Sequence, residues 1–566
     1  MRSLIAVLFV LAAPVFAQER SSIASRAPAG ATAYVEIRGL GERVDQMWAS
    51  PLADAIREHP ATKRWLDTAD GQKFMFGQGM LQGMLGLDLR GLIKEVGKGN
   101  IAVAVYGQPQ DALVLIELDP KLANRIVGAI EFTSQQARAE VAPAGEEGAA
   151  IFRVGPMFIC IEPNLTILSR NQKLVRAARA GTGESMVNSA ELAQARAFVG
   201  DDSMVVGMLN LKPFHAKLAS QGKPKDFGQA VLLGALPHDV RSAPFAAFGF
   251  DLRASGRSWS IRAQSHLPMP EKRGEGVQAA FGGTLKDFPF GLPKETIAVA
   301  RMKRNLRSLW EFQDDLIAEN ALPELVKFDS NFKTITGLTF AEEVLPNLGD
   351  EVTLVAIGRE WNADEKAPEV KLPHMAFIWP IKTDPRMRQS IDLAFQQVMS
   401  LIGIQQAEMS RKFMVMRETY KEIPIMTASY PAPSDGEMEG RRALPIRYNF
   451  NPAAAVVGEH YVFASTGAML KRLIDGREGV TKSPTGKNAG LWIEPRAGMA
   501  MLAANRDELV AQHMLKEGVS RDEAGVVIDM LMEAMRTLQD FSLTVDETPK
   551  SLGVSLRAEL VAPEKK

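Results

Sequence analysis

The 566-residue chain contains one cysteine, seven histidines and almost no net charge, with 66 basic side chains against 67 acidic ones. A single thiol excludes an internal disulfide framework. The balanced charge gives no electrostatic attraction toward nucleic acid or an anionic membrane surface, so no nucleic acid is expected as a partner. The histidines are scattered, and none has another at metal-ligand spacing. No run of about 18 apolar residues follows the N-terminus, so no transmembrane segment is expected in the mature chain. The chain is 46% hydrophobic and 23% charged, an ordinary globular balance.

Residues 1–17 read as a signal peptide. Arg2 supplies the charged start, Leu4 to Ala13 the short apolar core, and Pro14 breaks it. Val15 and Ala17 place small residues at −3 and −1 of a cleavage point, so the mature chain is expected to begin at Gln18. The expected location is the periplasm or the extracellular space. Cys160 lies in the apolar run Met157–Ile161 and is expected as a small core residue of a strand.

The chain resembles itself. Gly86-Leu87 and Gly107 bracket a helix and the strand Ile101–Val105; Gly337-Leu338 and Gly358 bracket the same pattern, displaced by 251 residues. Asp119-Pro120 opens a helix after an apolar strand, and Asp384-Pro385 repeats this at 265. Ser169 matches Ser465 at 296, and Asp251, Arg262-Ala263 and Pro268 match Asp546, Arg557-Ala558 and Pro563 at 295. Met204–Asn210 is paired with Met499–Asn505 at the same 295. The openings also match, Pro28 to Arg38 with Pro293 to Arg301, each followed by a helix carrying Trp48 or Trp310. The steps in offset fall in polar loops, in 359–372 and within about 403–450. A tandem duplication is expected, with a first repeat at 28–268, a connector at 269–292 and a second repeat at 293–563.

Each repeat reads as α+β. Only a few residues around Gln108-Pro109-Gln110 separate two strands, and so short a loop forces antiparallel pairing. Asp119 suits an N-cap and Pro120 the first helical position. Ser169 with Gln172 has the spacing of a capping box. A hairpin is expected to turn near Ser255-Gly256. The expectation is two similar lobes, each a mostly antiparallel sheet with helices packed on one face. Trp48 and Trp310 are expected as core anchors.

Chemistry is scarce. There is no nucleophile elbow, zinc-protease helix, EF-hand loop or Cys-x-x-Cys. Gly479–Lys487 only superficially resembles a phosphate loop, and the glycines Gly77, Gly79, Gly83 and Gly86 do not have dinucleotide spacing. The seven histidines, His59, His215, His238, His266, His374, His460 and His513, are expected at surfaces or caps. Met80 with Met84, and Met530 with Met535, could offer thioethers to Cu(I), but core filling is the simpler role. The adjacent acids Asp201-Asp202, Asp314-Asp315 and Glu342-Glu343 point apart on either a strand or a helix. The matched polar positions Asn210/Asn505 and Asp251/Asp546 are expected to be structural. No catalytic residue, cofactor-binding residue or metal ligand is assigned, and no cofactor is expected.

Leu292-Pro293-Lys294-Glu295-Thr296 with Trp310, and Pro28-Ala29-Gly30-Ala31-Thr32 with Trp48, resemble the repeat openings of a class of exported bacterial proteins of unknown function, typical of planctomycetes. The first copy lacks the leading Leu, having Ala27. The resemblance implies an envelope location and no catalytic residues. Three functions are carried forward. The first is a non-enzymatic secreted or periplasmic envelope protein that binds an unknown protein or an envelope polymer. The second is a carrier of a lipid or another apolar ligand, and the third a hydrolase whose carboxylates meet only in the fold.

Overall fold

The computed structural model describes residues 23–562 except 138–141, 144–150, 201–202, 218–222, 270–272, 289, 294, 360–366, 383–384, 409–413, 434–437, 439–442, 477–482 and 485. The expected signal peptide, Asp201-Asp202 and half of the 359–372 excursion therefore lie outside the described residues. Two compact units are present: residues 1–217, 242–270 and 553–566 form one, and 218–241 with 271–552 the other.

The first unit contains β1 (Ala33–Ile37), β2 (Ile101–Val105), β3 (Ala112–Ile116), β4 (Ala142–Pro143), β5 (Ile151–Val154), β6 (Met157–Glu162), β7 (Leu165–Ser169), β8 (Val205–Asn210), β9 (Phe245–Ser255) and β10 (Ser258–Pro268). All pairings are antiparallel, in the order β10–β9–β8–β1–β2–β3–β7–β6–β5–β4. Its helices include α1 (Leu40–Trp48), α2 (Pro60–Leu66), α3 (Ala69–Leu85), α4 (Leu89–Val96), α5 (Pro120–Ala137), α6 (Gln172–Ala180) and α7 (Ala190–Val199).

The α+β reading holds, but helices cover both faces of the sheet rather than one. Ile37, Ile101 and Leu252 meet Leu40 and Val44 of α1, Leu92 of α4 and Leu122 of α5. The opposite face, with Tyr34, Ala102 and Leu113, meets Val175 of α6 and Leu192 and Val199 of α7. The reason is visible in β2, Ile-Ala-Val-Ala-Val, which is apolar at every residue and so needs cover on both sides. Cys160 sits inside this core, its thiol pushed up from the ordinary value by burial.

Local chemistry sets the helix ends. Asp119 accepts the Lys121 N–H at 2.8 Å before Pro120 opens α5. At α6 the cap is Asn171, which accepts the Lys173 N–H, and not Ser169. The Ser169 hydroxyl donates instead to the Ala112 carbonyl across the sheet and accepts the Asn171 N–H. The hairpin turn falls at Gly256, with φ +55°.

The second unit contains β11 (Thr296–Lys303), β12 (Glu351–Ile357), β13 (His374–Pro380), β14 (Met414–Tyr420), β15 (Ile423–Ser429), β16 (Ala453–Val457), β17 (His460–Ala464), β18 (Ala489–Ile493) and β19 (Leu538–Thr548). Its antiparallel order is β19–β18–β11–β12–β13–β17–β16–β15–β14. Its helices include α8 (Leu306–Glu311), α9 (Leu322–Thr336), α10 (Pro385–Glu408), α11 (Gly467–Asp475), α12 (Pro495–Ala504), α13 (Arg506–Glu517) and α14 (Arg521–Thr537). On β16, Ala453 and Ala455 face Met469, Leu470 and Leu473 of α11, whereas Ala454 faces Phe395 and Met399 of α10. The last strand, β20 (Ser551–Val561), lies largely within the first unit, where the Ala562 N–H donates to the Arg257 carbonyl at 2.9 Å.

Register corrects one expected equivalence. Val35 of β1 opposes Gly207 of β8, and Ala300 of β11 opposes Leu491 of β18. The partner of β8 in the second unit is thus β18, while Met499–Asn505 lies in and just beyond α12. Met-Ala-Met-Leu-Ala-Ala-Asn is a short apolar run, which periodicity cannot assign to strand or helix.

Candidate functional site

Within the second unit, α10 lies across β14, β15 and β16. Ile391, Phe395 and Met399 recur every fourth residue and point into the sheet. That rotation turns Asp392, Leu393 and Gln396 toward the outer strands. Together with Val415, Met416 and Arg417 of β14 and Met426 of β15 they line an open groove of about 520 Å³. Leu393 and Met416 remain 46% and 50% exposed. Asp392 is the only carboxylate among the lining residues, and Arg417 stands 3.7 Å from it. Burial holds the Asp392 carboxyl above its ordinary value, with Arg417 pulling the other way. Among the described residues β14 pairs only with β15, so this groove borders a sheet edge. An apolar floor with a few polar groups suits binding. One carboxylate without a second acid or base beside it does not suit hydrolysis.

A second cluster is buried. Arg273 donates from Nε and Nη2 to Asp239 at 3.1 and 2.5 Å, and from Nη2 to the Ser551 carbonyl at 3.0 Å. Its Nη1 lies 3.7 Å from Glu547 on β19. The three side chains are at most 2% exposed. Burial pushes the Glu547 carboxyl up to about 7, against the pull of Arg304 and Arg273. These carboxylates do converge, yet they meet guanidinium groups away from solvent and border neither groove described here. Their side chains are buried, and their arrangement is that of a buried ion network.

In the first unit, a smaller groove of about 380 Å³ runs along Ala29–Ala31, Glu184–Met186 and Asn188–Glu191. Two of its polar groups are already engaged: Ser189 caps α7, and Glu191 is held low by a backbone N–H and by the Ser189 hydroxyl.

The residues singled out in the sequence do not assemble into a site. His374 departs furthest from its expected surface role. It is buried at the start of β13, with Nδ1 2.7 Å from the Thr466 hydroxyl that caps α11. Burial, helped by Arg359 and Arg472, lowers its pKa to about 4. His266 stacks on Phe198 at 4.7 Å. Asp251 pairs with Arg43 and Arg253, and Asp546 with Lys487. Asn210 accepts the Lys212 N–H, while Asn505 holds the Lys371 backbone through both its amide atoms. Most of the loop 479–487 lies outside the described residues. Asn488, which follows it, is buried and donates to the Gly283 carbonyl. Trp310 is half-buried, packing against a core cluster with its ring between Phe227 and Phe340. Trp48 is half-buried and carries Arg57 over its ring at 5.3 Å. Among the described residues no group of His, Cys, Asp and Glu could hold a metal ion. Nor is any helix among them long and apolar enough to cross a membrane.

Asp239, Arg273 and Glu547 carried no sequence signal, because Asp239 lies 34 residues from Arg273, Glu547 lies far from both, and each is unremarkable locally. The groove was equally hidden. Its one legible component was the apolar spacing of α10.

A family described as a protein of unknown function, DUF3352, matches residues 292–485, opening on the Leu292-Pro293 pair. No curated protein matches the chain. Crystal form I of TP0453 is similar at 12% identity over 46% of this chain and 84% of that one, with a TM-score of 0.24. At that score the likeness says nothing about fold or function. The chain is thus an α+β protein whose second half resembles an uncharacterised family.

Proposed function

We propose that this is an exported, non-enzymatic envelope protein, built by tandem duplication, that binds a protein or polymer partner through the groove beside α10. The observation that carries the reading is the contrast between the two places where polar residues gather. One is an open groove of mixed apolar and polar lining bordering an edge strand; the other is a set of carboxylates locked against arginines in the interior. Supporting the duplication, nine strands occur in the same order in each half. The signal peptide supports export to the periplasm or beyond. An apolar-ligand carrier stands second, because Leu393, Val415, Met416 and Met426 would also receive an acyl chain.

A photo-crosslinking residue in place of Met416, in the native cell, tests this. The expected result is a discrete protein or polymer adduct that is absent when the same probe replaces exposed Lys327, and lost when Leu393→Asp is added. Crosslinks to lipid alone would move the assignment to the carrier, and no adduct at all would sink the groove as a binding site.

A further inference from the structure

We propose that β14 is a strand-addition site: a partner protein contributes an extended segment that pairs with its outer edge and lays alternate side chains into the groove beside α10. The proposal rests on the groove reading above and names the occupant.

Pairing parity shows where the backbone groups of β14 point. Val415 opposes Ala428 of β15, Arg417 opposes Met426, and Thr419 opposes Pro424. The Ala428 N–H donates at 2.8 Å to the carbonyl of Pro452, which lies just before β16 on the side of β15 away from β14. In an antiparallel pair, opposed residues either exchange both hydrogen bonds or direct all their groups outward. Val415 and Ala428 are of the second kind, and so are the pairs at Arg417 and Thr419, two and four residues on. Pro424 has no N–H to give and fits such a position. A two-residue turn, Lys421 at φ +48° and Glu422 at φ +64°, fixes this register. Val415, Arg417 and Thr419 therefore turn their N–H and carbonyl groups to the outside of the sheet. Among the described residues nothing bonds to those groups.

These groups select the occupant. Donors and acceptors that recur every second residue, about 7 Å apart, match another strand. Lipid tails have neither to offer. The edge is also not blunted: its sequence, Met-Val-Met-Arg-Glu-Thr-Tyr, has no proline and no lysine. The corresponding end strand of the first unit, β4, holds Pro143. A second copy of the chain fits poorly. Arg417 is the middle residue of β14, so antiparallel self-pairing along the whole strand sets Arg417 against Arg417. Sliding the pair by two residues sets Glu418 against Glu418, or centres a shortened ladder on Met416. Side chains define the segment further. Val415 packs with Phe395 and Met399 of α10, and Arg417 lies 3.7 Å from Asp392, so the outward-bonding residues of β14 face α10. Side chains of an added strand on that face enter the groove beside Leu393 and Met426. The segment that fits is extended, with an apolar residue at every second position.

Proline at position 419 tests this, in full-length protein carrying the photo-crosslinking residue at Met416 in the native cell. Thr419 is exposed and its N–H points outward, so Thr419→Pro removes an edge donor and no bond to β15. Thr419→Ala removes the side chain alone. The expected result is a protein adduct that persists in Thr419→Ala and falls about tenfold or more in Thr419→Pro. Amide hydrogen exchange gives a second reading that needs no proline variant. In the purified adduct, exchange at Val415, Arg417 and Thr419 should slow about tenfold or more against the free protein. An adduct undiminished in Thr419→Pro, or outward amides that exchange as fast as in the free protein, would overturn strand addition and leave the groove as a binding site. No adduct in the parent would sink the groove and strand addition together. An adduct joining two copies of this chain, or one to lipid or glycan, would overturn the proposal in favour of that occupant.

Discussion

The two halves of this chain share nine strands in one order and differ in what decorates them. Between β7 and β8 the first half inserts α7, which packs on β8 and β9. The second half has its extra helices one connection later, as α12, α13 and α14 between β18 and β19. Buried chemistry diverges likewise. Registers β8–β9 and β18–β19 make Leu252 and Glu547 equivalent. The first is a core residue on the sheet, and the second is the buried carboxyl beside Arg273. A sheet order thus tolerates exchange of an apolar core position for an ion network, provided the counter-ions arrive with it.

The largest expected effect separates the equivalent tryptophans. Trp310 is half-buried like Trp48, but its ring packs against a core cluster and between Phe227 and Phe340, so Trp310→Ala should cost about 2 kcal/mol in urea unfolding. Trp48 is half-buried and its main ring partner is Arg57, so Trp48→Ala should cost about 1 kcal/mol. Equal losses would mean that the helix after the first strand packs alike in both halves, against the structure.

That difference was not legible in the sequence, where both tryptophans follow an apolar residue by four. Strands with their turns were legible, because Gly256 and the Asp119-Pro120 cap are local signals. The helix layers were not, although the unbroken apolar run of β2 already called for cover on two faces. The mispairing of Met204–Asn210 with Met499–Asn505 has a clear origin. The offset is 295 at β7 and β17, one less than the 296 of the Ser169–Ser465 match, falls to 284 at β8 and β18, and returns to 295 at β9 and β19. The β7–β8 connection is eleven residues longer than the β17–β18 one, and the β18–β19 connection eleven longer than the β8–β9 one, so the outer matches keep their offset and conceal the shift between them. The groove depended on how α10 lies against β14, which no local pattern encodes.

Two buried groups of the second unit give opposite pH dependences. His374 is lowered from 6.5 to about 4, so its contribution to stability is complete above 6.5 and is lost as pH falls toward 4. Glu547 is raised from 4.5 to about 7, so its contribution is complete below 4.5 and is lost as pH rises through 7. Between pH 5 and 6.5 the slopes oppose each other, each at most about 1.4 kcal/mol per pH unit. The parent should show a nearly flat urea midpoint there. Glu547→Gln should make stability rise with pH, and His374→Asn should make it fall. Parallel profiles for the two variants would show that the two groups do not titrate against each other. The first unit, with Leu252 in place of Glu547, has no counterpart to the acid-favouring term.

The smallest effects test the equivalence glycine by glycine. Gly86 ends α3 at φ +65° and Gly337 ends α9 at φ +72°, each donating its N–H to the carbonyl four residues back. A Cβ at either position would meet nothing within 4 Å, so only the left-handed backbone penalises a side chain there. Gly86→Ala and Gly337→Ala should each cost about 1 kcal/mol, equally in the two halves. The matched pair Gly107 and Gly358 should behave differently. Gly107 has φ +82° with open space around it, whereas Gly358 lies outside the left-handed region and a Cβ there would sit 3.4 Å from the Glu295 carbonyl oxygen. Gly107→Ala should therefore cost about 1 kcal/mol and Gly358→Ala only a few tenths. Thermal midpoints of the four variants measure this directly. An equal loss at 107 and 358 would show that the second turn also needs a left-handed residue, and that the halves are more alike there than the backbone angles indicate.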